Sequence, residues 1–436
     1  MNKIRELRKS TPSVVYLVSA SIGSLVAGLP AGTSYFVAVV LVAIMCGRLT
    51  QSRGSLARAV YPFVLHLKWG WHRAERALNR SLSSIDSLVE ESYAWTLENL
   101  PVEPLSLGEN KRQLLALDTT AIARLRAESK RVGLLGKGYC HQAGKAVKAH
   151  IGGALVHVCL IRSVRVGLLR AFSIEGNEDE VLTRLFSEAE KLEGNYLILA
   201  DAKIGTKERF AKATKEKALA ARLRTNAKLR REPGPRSGKA GRPPIHGAVI
   251  HPGYKEVEEA ADEEYYYEME GYNARVRCWH NLHYDEYPEV KLEVLRVEDS
   301  RYKEPLLVGT TASELKTEEF YEAYPQRWPV ETLFYVGQAQ GGTEEVKAWS
   351  EKGVRSRVGL GLISASLLKA IAANEEAIAI GPWDKEPKRT AGRLSNFLNT
   401  FGDSLLELSV EKARLRNYRK IENTKETSNS EDLLAA

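Results

Sequence analysis

Three carboxylates far apart in the chain suggest its chemistry: Asp118, Asp201 and Glu331. Asp118 ends the apolar run Leu114-Leu115-Ala116-Leu117, and Asp201 ends Tyr196-Leu197-Ile198-Leu199-Ala200. A carboxylate just beyond a buried strand projects into the crevice at the strand's carboxyl end, where α/β sheets hold ligands. Glu331 lies in Tyr324-Pro325-Gln326-Arg327-Trp328-Pro329-Val330-Glu331, which reads as the start of a short aromatic-rich helix. Either aspartate alone is as well explained by a turn or a helix cap. Taken together, the three acids are hard oxygen ligands suited to Mg²⁺, and the chemistry that needs them is phosphodiester cleavage.

Arg327 precedes Glu331 by one helical turn, so the two share a face, and a guanidinium there suits a two-point grip on a phosphate. Tyr324 is a donor to a neighbouring phosphate oxygen. Pro329 clashes with a helix interior and so belongs to the first turn, leaving Tyr324 and Arg327 just upstream. Trp328 reads as core packing, and Trp279 as a platform for an unstacked base.

The elements that must position these groups follow from periodicity. Residues 1–105 read as all-helical, with helices over Val14 to Ala27, Ser34 to Cys46, Ser55 to Ala77 and Ser84 to Leu97. Between the second and third, Arg48 to Arg58 reads either as the capped, arginine-rich form of a helix-turn-helix, which would put Arg53 and Arg58 on DNA, or as a solvated capping turn. Pro101 and Pro104 then supply a linker. Strands are expected at Arg112 to Thr119, Ala149 to Arg162, Val164 to Ile174 and Asn195 to Ala200, with a helix over Asp179 to Leu192. Three consecutive strands, a crossover helix and a parallel strand make one α/β unit.

The stretch from Asp201 to Glu331 is longer than that unit needs, so an insertion is implied. It opens with thirteen Lys/Arg between Lys207 and Arg242 against Glu208, Glu216 and Glu232. This is a track for phosphates, with Arg236, Lys239, Arg242 and His246 on a Gly/Pro-rich clasp. An acidic patch from Glu256 to Glu270 follows. Alternating strands at Arg275 to Trp279 and Val290 to Val297 make the insertion mostly β. The expected layout is a helical DNA-binding domain (1–105), a core in two parts (106–224 and 305–375), a β-rich insertion (225–304) and a basic C-terminal segment with a disordered tail (376–436).

Tyr324, Arg327 and Glu331 fit the spacing Tyr-x2-Arg-x3-Glu-x6-Lys, with Gln338 in place of the final Lys. Gly241-Arg242-Pro243-Pro244-Ile245-His246-Gly247 is close to a Gly-Arg-Pro-Arg-Lys-His-Gly segment. On these residues the chain resembles the DDE transposases of bacterial insertion sequences over roughly residues 40 to 375. The resemblance implies an RNase H-like mixed-sheet core holding two Mg²⁺ ions, replaceable by Mn²⁺. Asp118 would bridge the ions, Asp201 would hold one and Glu331 the other. It also implies cleavage of double-stranded DNA at the element's ends, strand transfer into target DNA, and a homodimer on paired ends. Gln338 costs a phosphate contact and no metal ligand. The alternatives are an RNase H-like nuclease without transposition and an inactive DNA-binding derivative.

Composition is compatible with this. A 436-residue chain with 44% hydrophobic residues fills more than one core, and its net charge of +8 suits a polyanion. The four cysteines (Cys46, Cys140, Cys159, Cys278) show no CxxC spacing, which argues against a disulfide framework or a structural zinc. Cys278 and His280 therefore read as ordinary strand residues. Ser10 to Gly47 holds no charged side chain, raising a transmembrane hairpin. Its first half is diluted by Ser and Gly, and Tyr35 to Cys46 is short of the roughly 20 residues a span needs. Buried helices of a cytoplasmic protein, with no membrane partner, are the expectation.

Overall fold

A computed structural model describes residues 12–417, apart from 66, 68–69, 83, 125–133, 141–143, 235–243, 255–259, 270–271, 301–302, 349, 380 and 382. The fold is mixed α/β. Fourteen strands form one sheet. They are β1 (Val102–Pro104), β2 (Ser106–Leu107), β3 (Arg112–Ala123), β4 (Gly136–Cys140), β5 (Lys145–Ile161), β6 (Val164–Glu175) and β7 (Tyr196–Ala200). Then come β8 (Lys217–Arg222), β9 (Leu229–Arg230), β10 (Val249–Ile250), β11 (Glu263–Met269), β12 (Tyr272–Tyr284), β13 (Tyr287–Asp299) and β14 (Leu306–Thr310).

β3 lies between antiparallel β5 and parallel β7, β6 covers the far edge of β5, and β8 runs parallel to β7. Beyond β8 the sheet does not end. β14 pairs with β8, β13 with β14, and the long hairpin partner β12 with β13. The strands expected as a separate insertion are thus hydrogen-bonded into the core sheet through β14.

Both faces of the sheet are covered along β3, β7 and β8, which is why those strands read as continuous apolar runs. On β7, Leu197 and Leu199 face one cluster while Ile198 and Ala200 face the other, as the two-residue period of a strand requires. One side is closed by α7 (Glu178–Glu190), capped by Asn177, whose side chain accepts from the Glu180 N–H, and by the short α8 (Lys207–Lys212), whose Phe210 is buried in the same cluster. The other is closed by the N-terminal helices and by the chain after β14. There α9 (Thr317–Ala323) leads through a 3₁₀ turn, Tyr324–Arg327, into α10 (Trp328–Ala339). Behind these lies α11 (Glu351–Asn374).

The N-terminal helices do not form a body of their own. α1 (Ser13–Ala27), α2 (Ala31–Met45), α3 (Arg48–Gln51) and α4 (Leu56–Val64) share one hydrophobic cluster with α11, the sheet and the C-terminal helix over 402–417. In α6 (Asp86–Asn99), Tyr93 sits 2.6 Å from Nδ1 of His157 on β5, with Arg170 stacked on the tyrosine ring at 4.0 Å. The uncharged stretch is therefore core: Val15, Val18, Ile22, Leu41 and Met45 are fully buried. Only α11 is long and apolar enough to cross a membrane, among the described residues, and 94% of its apolar window is buried inside the fold.

Several expectations change. The helix expected over Ser55 to Ala77 is instead α4, which runs past Pro62 to Val64, then α5 (Gly70–Arg76) and a π turn, Ala77–Ser81. Pro101 and Pro104 do not flank a free linker, because Val102–Pro104 is itself an edge strand on β5, where a missing N–H is tolerated. β3 continues past Asp118 to Ala123, since β5 still pairs with it there.

Candidate active site

Register brings the two aspartates together. The parallel pairing of β3 and β7 ends at Ala116↔Leu199, and Asp118 and Asp201 each lie two residues further on. Asp118 stays within β3, still paired with Ala154 of β5, on the face that carries Leu114 and Ala116, while Asp201 is the first residue past the end of β7. β7 ends at Ala200, which frees Asp201. The Asp201 carbonyl then turns the chain by accepting from the N–H groups of Ile204 and Gly205.

The third acid arrives on the same face. Pro329 stands in the first turn of α10, and Glu331 follows in that turn. Arg327, at the end of the 3₁₀ turn, joins the carboxylates: Nη1 donates to Asp118 Oδ2 at 3.2 Å, and Nη2 donates to Glu331 Oε1. Asp118 Oδ1 accepts from the Thr119 N–H at 2.8 Å. Tyr324 donates to the carbonyl of Ala200 at 3.3 Å. Here Tyr324 ties the arm to the end of β7 beside Asp201, instead of reaching outward as a phosphate donor.

The electrostatics match this crowding. Burial pushes the Asp118 carboxyl up to about 6, against the opposing pull of Thr119 N–H and Arg327, and the charges of Asp201 and Glu331 push it further. Burial alone would lower Arg327. Tyr324, Glu331, Asp118 and Asp201 outweigh it and hold the guanidinium protonated. Burial, with Asp201 adding, pushes the Tyr324 hydroxyl up to about 12. One guanidinium thus faces three carboxylates, and the all-oxygen donor set is the kind that hard divalent cations take. The donor chemistry suits Mg²⁺ or Mn²⁺, but with Arg327 between Asp118 and Glu331 the three carboxylates do not all come within 4.8 Å of one another, so they would have to close in to hold an ion.

Beside the acids opens a cavity of about 880 Å³, lined by Thr119, Lys137, Glu178, Lys203, Gln338 and Glu344 among others. Thr119 donates to Glu178, and Lys203 lies 3.8 Å from the same carboxylate. Gln338 presents an amide two turns beyond Glu331, while Lys137 and Lys203 bring positive charge to the same wall. From α11, Lys369 Nζ donates to the Pro329 carbonyl at 3.2 Å and pins the first turn of α10, and burial pushes its ammonium down to about 7. Sequence reasoning missed Glu178, Lys203 and Lys369, because each becomes a neighbour only through the fold.

No protein-family model matches the chain, and no curated protein matches it at a significant level.

The other expected DNA contacts fare differently. Trp279 is 0% exposed in the core beneath β12, so no base can stack on it, whereas Trp328, expected in the core, is 59% exposed beside Arg327. Arg53 and Arg58 are exposed, but their segment is docked on the Glu331 arm. Thr50 donates to the Gln340 carbonyl at 3.3 Å, and Gly54 packs on Glu345. Arg236, Lys239 and Arg242 lie outside the described residues. His246 stacks on His283, with Nδ1 3.0 Å from its Nε2, instead of standing on a free clasp. Much of the basic run is spent internally: Arg230 and Lys228 on Asp285, Arg231 on Asp262, and Arg209 on Asp179.

Proposed function

We propose that the chain is a DNA transposase of the DDE type with an RNase H-like catalytic core, using Asp118, Asp201 and Glu331 as ligands for two divalent ions. The observation that carries the reading is the matched position of Asp118 and Asp201, each two residues past the last rung between parallel β3 and β7, with Glu331 joined to Asp118 through Arg327. The strand order β6-β5-β3-β7-β8, with a helix between β6 and β7, is what such a core requires.

Divalent ions held there would supply an activated water or 3′-hydroxyl and stabilise the leaving oxygen. The chain's residues do the rest. Asp118, Asp201 and Glu331 would hold the ions, and Arg327, now paired to Asp118 and Glu331, would be placed to grip a phosphate. Lys137 and Lys203 line the path of the backbone where Gln338 offers no charge. Trp328 offers an exposed aromatic face to a base. The protein acts in the cytoplasm as a homodimer on paired DNA ends.

The test is nicking of DNA that carries the flanks of the chain's own gene, in Mg²⁺ or Mn²⁺. Wild type is expected to cut at the ends. Asp118→Ala, Asp201→Ala and Glu331→Ala should each lower the rate by roughly 10²–10³ or more while DNA binding persists. A single mutant that cuts at near-normal rate removes its residue from the site. Cutting without joining to a target would favour the nuclease reading.

A further inference from the structure

A second cluster lies on the sheet at β11–β13. Cys278 and His280 occupy positions i and i+2 of β12 and so share a face. Glu263 on β11 is directly opposite Cys278 in the ladder. A bulge between Trp279 and Leu282, with Asn281 at φ 54°, lets Glu293 of β13 reach the same point. Cys278 Sγ lies 3.8 Å from His280 Nδ1, and His280 Nε2 lies 3.5 Å from Glu263 Oε1. Nδ1 is also hydrogen-bonded to Glu293. The ligand atoms of Glu263, Cys278 and His280 all fall within 4.8 Å of one another. Tetrahedral zinc bonds of about 2.0–2.3 Å place ligand atoms roughly 3.3–3.8 Å apart, so the three atoms would close by up to about 1 Å around an ion.

We propose that Glu263, Cys278 and His280 bind a zinc-class divalent ion, with Glu293 orienting the His280 ring. The donor set is mixed sulfur, nitrogen and oxygen, which selects a borderline-soft ion over the hard ions suited to Asp118, Asp201 and Glu331. Without metal, a protonated ring satisfies Glu263 and Glu293 together. With the ion, Glu293 accepts the hydrogen bond from Nδ1–H, which leaves Nε2, 3.5 Å from Glu263, as the ring atom that would ligate it. This is the carboxylate–histidine–metal relay that commonly fixes a ligating imidazole. An adjoining cavity of about 400 Å³, lined by Glu263, His280, Glu293 and Thr317, gives the ion a route in.

The site has a structural consequence. Thr317, first residue of α9, donates its hydroxyl to Glu263 Oε2 at 2.5 Å. Metal on Glu263 therefore ties β11 and β12 to the start of the arm that ends in Arg327 and Glu331. The inference is independent of any DNA chemistry, and so is its test.

The test uses the full, untagged chain, reduced, stripped with chelator and titrated with Co²⁺ and then Zn²⁺. Expected are one equivalent of Co²⁺ with a near-ultraviolet thiolate-to-cobalt absorption band, displaced by Zn²⁺, and a higher melting temperature with Zn²⁺ bound. Cys278→Ser should abolish the band and weaken Zn²⁺ binding about tenfold or more. Glu293→Gln should keep the band and weaken binding about 10–100-fold. Circular dichroism checks that each variant is folded, and His280→Gln serves if Cys278→Ser is not. A wild type without the band, a band that survives in Cys278→Ser, or a His280 that simply titrates as an imidazolium on Glu293 with Zn²⁺ present would each overturn the assignment.

Discussion

At the scale of single residues, Asp118 is held where its charged form is disfavoured. Its carboxyl is pushed up to about 6 from 3.8, so the folded protein binds its proton more tightly than the unfolded chain does. The stability this provides is whole below about pH 4 and is lost as the pH rises through about 6, leaving the ionised group a burden at neutral pH. Asp118→Asn, which keeps the shape and removes the charge, should stabilise the metal-free protein by about 2 kcal/mol at pH 7. The gain should shrink towards zero near pH 4, as denaturant unfolding at the two pH values would show. A loss of stability at pH 7 would mean that the Arg327 pairing outweighs burial. The two tryptophans make the complementary case. Trp279→Ala opens a void in the core and should cost about 3–5 kcal/mol. Trp328→Ala should change stability by no more than about 0.5 kcal/mol and weaken single-stranded DNA binding. Nothing local separates these two residues. Their exposure is decided by which elements cover them, and sequence reasoning assigned them the wrong way round.

At the scale of elements, what was legible was whatever leaves a mark on the chain itself. The strands ending near Asp118 and Asp201 showed as apolar runs broken by an acid, and Pro329 announced the first turn of α10. Between Val64 and Gly70 the helix expected over Ser55 to Ala77 is interrupted, which the long apolar pattern did not show. What was not legible depends on partners far away in the chain: β3 runs on because β5 supports it, and Val102–Pro104 is a strand only because Cys159 to Ile161 lie beside it. The basic run looked free because Asp285 and Asp262 come much later. Gly54 is a point where such distant contact can be tested. Its φ is +72°, and a Cβ there would lie 1.7 Å from the Glu345 carbonyl oxygen. Gly54→Ala should destabilise the chain by more than about 1 kcal/mol and loosen the joint between α3 and the Glu331 arm, which thermal melting and hydrogen exchange at Gln340 to Glu345 would report.

At the scale of the whole molecule, the expected division into domains gives way to one sheet and shared cores. The N-terminal helices bury α11 and one face of the sheet, so removing residues 1–105 exposes a large apolar surface. A chain starting at residue 106 should be insoluble or collapse without cooperative unfolding, whereas an autonomous catalytic domain would melt cooperatively. The α/β class was readable from alternating runs and helical periods. The continuity of the sheet was not, since it rests on the pairing of β14 with β8 across a long stretch of chain. That continuity has a geometric result. From β3, which carries Asp118, to β12, which carries Cys278, the sheet takes five strand-to-strand steps. At roughly 20–25° of twist each, the surface turns through roughly 100–125°. A rod as stiff as duplex DNA cannot lie flat along such a surface. Duplex DNA docked over the acids as proposed would follow the sheet out to β12 only where it is kinked.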